Sequence, residues 1–400
     1  MRNIDLSYLE SDTREALLDL MGIYGDGFYK WMASLWDPAT GGFYYSESAR
    51  DNDGYLPDVE SVGQILAALR NNGLFADYGH DTAKALPAFM RERILSFTDS
   101  LQDRDGFFYH PQWGKNIPLT RRGRDLSWAQ GIYSLLGGKA PYPTADRQIS
   151  EGKTVQVAEH LRSEEAFLNY LYTKHDRKKF FNHLNHELNA QHSEIKSAGL
   201  MPVLFDFLER EQDPKTGLWG EGVNYNALTA LMKGMLIYTQ EKRPFRYAEQ
   251  AVDSAIKMMV SDDEPKRIVD ITNPGNALIN ILNTKRRLEG EEAAEKLRLR
   301  VAARGAEICR SSVEKLLPYV QKQDVFSFFP YVVGEVSQNV PAAVPGTAEG
   351  DVNATVIAYG HLKRVMMLIG VKDTYIYGGE EYRDFLGIID LKEKEYSRNL

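Results

Sequence analysis

A single cysteine, Cys309, occurs in 400 residues. That excludes an internal disulfide and a cysteine-rich zinc site. Long apolar runs are also missing. No stretch approaches the roughly 18 apolar residues of a membrane span, and the opening MRNIDLSYLESDTRE contains no apolar core of a signal peptide. The expectation is a cytoplasmic protein with no membrane partner. Basic surface is scarce: 48 Lys and Arg stand against 56 Asp and Glu, for a net charge of −8. RRGR at Arg121–Arg124 is too short to make a basic stripe, so no nucleic-acid partner is expected. No glycine-rich phosphate loop is present. DNDG at Asp51 and DRDG at Asp103 lack the ligand pattern of a calcium loop and read as turns ending in glycine. His175, His183, His186 and His192 lie close in the chain without an acid in a metal-site pattern. Neither a metal nor a cofactor is expected.

Aromatic residues, in contrast, are plentiful at 11%, with 22 Tyr. Tyr and Trp combine an apolar face with a polar handle, which suits a core and a sugar-binding cleft alike. Several aromatics recur within one unit of text: an apolar helix, a turn of the form Gln/Trp-Asp…Gly-Phe/Trp, a polar loop, and a second apolar helix. WDPATGGFYY from Trp36, LQDRDGFFYH from Leu101 and QDPKTGLWGEGVNYN from Gln212 are the clearest copies. The second helices of the units are predicted to begin near residues 58, 125, 224, 273 and 351. A sixth, masked unit falls in LRSEEAFLNYLYTKHD, with Ser163 as N-cap and Glu164 and Glu165 in the first turn. The helices between them, Thr13–Trp36, Asp81–Leu101, Ile195–Arg210, Tyr247–Met259 and Glu291–Val320, carry more charge. The second helices are rich in Ala, Gly, Leu and Met, as in VGQILAAL from Val62 and ALTALMKGMLIY from Ala227. Low charge means burial on most sides. Strand signals are confined to turns such as GGFYYSES from Gly41. The stretch RQISEGKTV from Arg147 reads as loop, and the segment from Asp373 as one packing across an end.

Six pairs of charged and uncharged helices joined by short hairpin turns resemble the (α/α)6 toroid. That fold serves glycoside hydrolases, polysaccharide lyases and sugar epimerases, and in a related form terpenoid cyclases and prenyltransferase subunits. The Gln-Asp…Gly-Phe/Trp turns resemble those of the last group. The Asp-x-Asp-Asp motif of the cyclases is absent, and Cys309 lies in a charged outer helix where a prenyltransferase zinc ligand would not sit. The resemblance implies an all-α chain, a single toroid over residues 1–400, with an inner and an outer ring of helices. An open array of helical hairpins is the competing architecture. A count of six and the lack of a polar capping repeat favour closure.

In such a ring the N-termini of the inner helices converge on one mouth. Asp58, Asp125, Asn224, Asn273 and Asp351 each precede an apolar helix and are suited to cap it. Capping needs one residue per helix, and EGVNYN and DVES have more polar groups than that. The surplus suggests a site. Glu221 and Asp58 are the leading pair for acid–base work, with Asp125 in reserve and Tyr225 as an alternative base. His110, Trp113, Arg121, Arg124, Trp128, Asn224, Asn226, Asn276, Asp351 and Asn353 are candidate substrate contacts. The arginines suit carboxylates and the tryptophans can stack on sugar faces. Each has a plainer reading as a cap, a surface ion pair or a packing residue.

The leading function is a glycoside hydrolase acting on an oligosaccharide or uronate-containing glycan. It needs one acid to protonate the leaving oxygen and one carboxylate to activate water. The alternatives on the same fold are a polysaccharide lyase, with Asn224 and an arginine neutralising the uronate and Tyr225 or His110 as base, and an epimerase using His110 and His361. A non-catalytic helical scaffold is the alternative from another class. It predicts no convergent acids and a larger exposed apolar patch. The loop Val333–Asn353, long and rich in Pro, Ala and Gly, has the length of a lid or binding element.

Overall fold

The computed structural model describes residues 2, 4–151, 158–174 and 176–399, with the side chains of 119, 120, 149, 150 and 186 excepted. The chain is mostly helical. Among the described residues the strands amount to two antiparallel pairs of two residues each: Trp36–Asp37 with Gly42–Phe43, inside the first turn motif, and Val336–Ser337 with Val340–Pro341. The second pair lies in the long loop before residue 351, where the sequence had carried no strand signal. No helix among the described residues is long and apolar enough to cross a membrane.

Helix starts follow the caps at four of the expected positions. Asp58 Oδ1 accepts from Ser61 N at 3.0 Å and opens the helix Val59–Asn71. Asn224 Oδ1 accepts from Ala227 N at 3.0 Å ahead of Tyr225–Gln240. Asp351 Oδ1 accepts from Ala354 N at 2.7 Å ahead of Val352–Ile369. Each side chain satisfies one of the donors a helix leaves unpaired at its N-terminus. Ser163 Oγ does the same for Ala166 N at the helix Glu164–Lys174.

Two starts differ from expectation. The helix Leu119–Leu136 begins six residues before Asp125, so Asp125 sits within it and Arg121 and Arg124 are helical, not loop residues. The stretch from Gly114 to Arg124 reads as a loop in the sequence, yet Gly123 lies inside this helix. The site requires a glycine, because Ala190 O lies 2.6 Å from where its Cβ would be and a larger residue would collide with that carbonyl. The helix Ile268–Glu289 likewise starts before Asn273, with Pro274 inside it. There Asp270, three residues in, takes Arg267 N at 3.0 Å and supplies the N-terminal partner that Asn273 was expected to give. The charged segments are broken more often than the periodicity implied: Ser11–Met21 and Gly27–Ser34, Thr82–Ala85 and Ala88–Ser100, His192–Ser197 and Met201–Glu211, Glu291–Ala302 and Gly305–Leu316. Residues Ala145–Ser150 form a helix where loop was expected, and 152–157 lie outside the described residues.

The apolar helices contact one another in a cycle. Val59–Asn71 packs on Leu119–Leu136, which packs on the π-helical turn His183–Leu188. That turn packs on Tyr225–Gln240, then follow Ile268–Glu289 and Val352–Ile369, and the last returns to Val59–Asn71. The sixth place is thus held not by Glu164–Lys174 but by the segment after it. Phe180, Leu184 and Leu188, spaced four apart, are all buried there and supply the one-sided apolar face. A continuous apolar core runs from Leu6 to Ile389. The last helix, Gly379–Asn399, lies against Gly27–Ser34 and the Trp36 turn, and Glu393 accepts from Trp36 Nε1 at 2.8 Å.

The turn aromatics are packing residues, as their recurrence implied. Trp36, Phe43, Phe107 and Trp219 are all buried. Trp36 meets Phe43 edge to face with centroids 5.0 Å apart. Trp219 donates to Leu208 O at 2.8 Å, and its ring lies on Gly234, where a Cβ would come within 2.4 Å of Cζ3. Gly131, by comparison, has open space around its Cβ position. Gly234→Val should therefore lower stability by about 1–3 kcal/mol through overpacking, while Gly131→Ala should raise it by roughly 0.5–1 kcal/mol through helix propensity. Chemical denaturation of the two variants checks both signs.

Candidate functional site

The residues singled out in the sequence fall into three groups. Asp58, Arg121 and Asp125 come together in one buried cluster with Glu60. Arg121, 1% exposed, donates Nη1 to Glu60 Oε2 at 3.0 Å and Nη2 to Asp58 Oδ1 at 3.3 Å, and its Nη2 lies 2.8 Å from Asp125 Oδ1. Arg124 Nε donates to the other oxygen of Glu60 at 2.7 Å. Ser337, from the hairpin Val336–Pro341, donates to Glu60 Oε2 at 3.1 Å and accepts from Arg121 Nη1 at 3.2 Å. Gln64 Nε2 links Glu60 to Asn353, and Arg124 Nη2 also reaches Asn353 Oδ1 at 3.5 Å.

Three carboxylates thus face two guanidiniums in a nearly dry volume. The surplus negative charge is unevenly felt. Burial pushes Asp125 up to about 7, against the pull of Arg121 and with the help of Glu60 and Asp58. Glu60 is buried too, but the adjoining Arg124 and Arg121 outweigh the burial and hold it below the usual carboxylate range. Arg121 is held above its ordinary value by Asp125, Glu60 and Asp58 although burial opposes them.

His110, Trp113 and Asp351 act as struts around this cluster. His110 is buried, with Nε2 2.5 Å from Pro57 O and Nδ1 accepting from Gln112 N at 3.2 Å. That pattern requires a neutral ring protonated on Nε2, and burial lowers the imidazole pKa accordingly. Trp113 stacks under the Arg121 guanidinium at 4.4 Å and donates to Pro341 O at 2.9 Å, tying the hairpin down. Asp351, besides capping its helix, accepts from Tyr45 Oη, Phe328 N and Gly334 N. Burial raises its pKa to about 6 in spite of those four donors.

Arg124 and Trp128 belong with a cavity. Its volume is about 310 Å³, and it is lined by these two side chains together with Lys233, Gln338 and several other polar residues. Five of the lining residues, Gln130, Asn185, Asn189, Gln240 and Gln338, are carboxamides, and Asp146 and Glu194 supply two carboxylates. Trp128 is held by Gly63, whose Cβ would lie 2.4 Å from the indole Cε3. Burial pushes Lys233 down to about 8, and Arg124 adds to the push while Glu60 opposes it. An amine so placed can give or take a proton near neutral pH.

Glu221, Asn224, Asn226 and Tyr225 lie elsewhere. The first three line a separate cavity of about 180 Å³ with Arg177 and Trp219. Tyr225 borders a small void beside Asp270 and His361 and donates to Asp263 O at 2.6 Å. Glu221 and Asp58 therefore do not share a cavity, because the turn that carries Glu221 folds back over Arg177, which donates to Gly220 O at 3.3 Å. Asn276 sits two turns inside its helix and accepts from Asn280 Nδ2 at 3.1 Å. His361 is fully buried, bonded to Ser312 at 3.0 Å. Of the clustered histidines, His192 pairs with Glu241 at 3.0 Å, while His175 and the side chain of His186 lie outside the described residues.

Of the cavity lining, sequence reasoning picked out Arg124 and Trp128 as substrate contacts and missed others, Lys233 and Gln338 among them. Lys233 had a signal: it is the one charge in ALTALMKGMLIY. Gln338 had none.

The cluster and its charge imbalance predict two responses. Arg121→Ala should cost about 3–5 kcal/mol, because it strands buried carboxylates. Asp125 has a folded pKa raised above its unfolded value, so its contribution to stability is full below pH ~4 and is lost as pH rises through about 7. Asp125→Asn should therefore gain on the native protein steadily between pH ~4 and ~7 and keep a constant offset above that. Thermal melts at a series of pH values test this, and a difference independent of pH would refute the charge assignment.

Comparison with protein family models, with curated proteins and with solved structures finds no match to this chain.

Proposed function

We propose that the protein is a carbohydrate-active enzyme built as a single (α/α)6 toroid, acting on a uronate-containing glycan in the cavity between Arg124, Trp128 and Lys233. The cycle of six apolar segments supports the toroid reading, and the helices that bear Arg124 and Lys233 are members of that cycle. The observation that carries the function is the Lys233 amine, pushed down to about 8 beside a guanidinium in a cavity lined by a tryptophan and five carboxamides. Carboxamides match sugar hydroxyls because each both donates and accepts. The indole suits an apolar sugar face.

Among the chemistries open to this fold, β-elimination is the one these groups support best. Arg124 would pair with the uronate carboxylate and stabilise the negative charge that builds on it as the C5 proton leaves. Lys233 in its neutral form would take that proton. The electron pair becomes the C4–C5 double bond, the C4–O bond breaks, and the departing oxygen takes a proton from water. Glycoside hydrolysis is the second reading, favoured by one observation: Asp146 and Glu194 line the same cavity, and hydrolysis needs two carboxyl groups across the scissile bond.

The product distinguishes the two. Incubation with uronate oligosaccharides should yield fragments with ultraviolet absorbance from the new double bond. The rate should rise with pH toward about 8 as Lys233 loses its proton. Lys233→Ala should lower turnover by roughly 10²–10⁴-fold with the fold intact by circular dichroism. Fragments with saturated ends, formed equally well by Lys233→Ala and lost in Asp146→Asn or Glu194→Gln, would replace elimination with hydrolysis. No cleavage of any uronate glycan would remove the proposal.

A further inference from the structure

The hairpin Val336–Pro341 turns through Gln338 and Asn339, whose φ values are 51° and 68°. Two-residue hairpin loops with both residues left-handed favour Asn and Gly. Asn339 fits that preference. Gln338 does not, since its Cβ crowds the following carbonyl in this conformation. The chain thus carries a strained residue where a glycine would relax. Nothing within the protein compensates: among the described residues the Gln338 carboxamide has no hydrogen-bond partner. It lines the cavity with Arg124, Trp128 and Lys233. Its neighbour Ser337 is 6% exposed and bonded to Glu60 and Arg121, and Pro341 O is held by Trp113. The tip is therefore fixed at both shoulders and presents its amide to the cavity.

We infer that Gln338 is a specificity-determining contact of this cavity, exchanging hydrogen bonds with adjacent hydroxyls of a sugar ring. The inference rests on the glycan reading above. A carboxamide offers a donor and an acceptor a short distance apart, which matches vicinal hydroxyls that also do both. An anionic group would call for donors alone, and Arg124 already provides those. Strain held at a ligand-facing residue is a recurring feature of binding sites, where surrounding structure enforces the conformation.

The test uses the full chain with Gln338→Gly and Gln338→Asn, titrated calorimetrically with an oligogalacturonide, an oligoglucuronide and a neutral cello-oligosaccharide. Gln338→Gly should melt no lower than the native protein, because relief of the left-handed strain offsets the greater freedom of an unfolded glycine, yet bind the preferred oligosaccharide about tenfold more weakly. Gln338→Asn keeps the turn with a shorter arm and should fall between. Equal affinity in native protein and Gln338→Gly overturns the inference, as does a clearly lower melting temperature for that variant. If the native protein binds the cello-oligosaccharide in a Gln338-dependent way and neither uronide, the uronate reading fails and the Gln338 contact stands. If it binds none of the three, the contact is overturned with it.

Discussion

Arg121 is the constraint on which the rest of the candidate site depends. Its single guanidinium holds a carboxylate from the start of one helix, a second from one turn along its own helix, and the hydroxyl of a hairpin 216 residues away in sequence. A buried guanidinium needs partners for its donors, and buried carboxylates need countercharge. The two demands are met together only when the helices Val59–Asn71 and Leu119–Leu136 and the hairpin are all in place. Because Arg124 and Trp128 follow Arg121 at three and seven residues, they share its helix face. Fixing Arg121 among its carboxylates therefore sets where Arg124 and Trp128 stand toward the cavity.

Burial moves two other groups in opposite directions. Asp125 is the carboxylate left over when three acids share two guanidiniums, and burial pushes it toward its neutral form. Lys233 forms no ion pair among the described residues, and the nearby Glu60 is already engaged by Arg121 and Arg124. Burial and Arg124 push it toward its neutral form as well. In each case the cost of an unbalanced charge is lowered by changing protonation. For Asp125 the consequence is structural, because it is sealed. For Lys233 it is chemical, because its side chain borders a cavity.

Much of the fold was legible because caps and periodicity are local. Asp58, Asn224, Asp351 and Ser163 could be picked out as helix starts from the residues that follow them, and the four turn aromatics from their recurrence. Asp125 and Asn273 were misassigned by the same rule. Pro274 looks like a helix start in the sequence, but Asp270 caps the helix earlier in the chain, and Gly123 is required by the Ala190 carbonyl, a contact far along the chain. The buried cluster was half visible: DVES stood out for its surplus acids and the arginines near residue 121 for their fit to carboxylates, but their pairing depends on how two helices and a distant hairpin meet. Glu221 was attractive for its glycine-flanked turn, and the side of the fold to which that turn bends was not encoded locally. Lys233 was legible as a lone charge on an apolar helix. Gln338 was not, since its meaning lies in a backbone angle and in a cavity assembled from other segments.

Two glycine–tryptophan contacts show how one device serves two ends. Trp219 lies on Gly234 and is buried, with its indole N–H bonded to a main-chain carbonyl, so it joins turn to helix and nothing more. Trp128 lies on Gly63 in the same manner but is half-buried and borders the cavity. The missing Cβ at position 63 lets the indole pack directly against that helix, so the ring is held by packing. A ring already immobilised loses little side-chain entropy when a ligand packs against it. On the proposed reading, that makes Trp128 a preformed platform whose orientation is set by helix packing, with Arg124 one turn before it on the same face and Lys233 lining the same cavity. The aromatic surface and the charges are thus positioned by one helix–helix contact and one buried arginine, without need of a ligand.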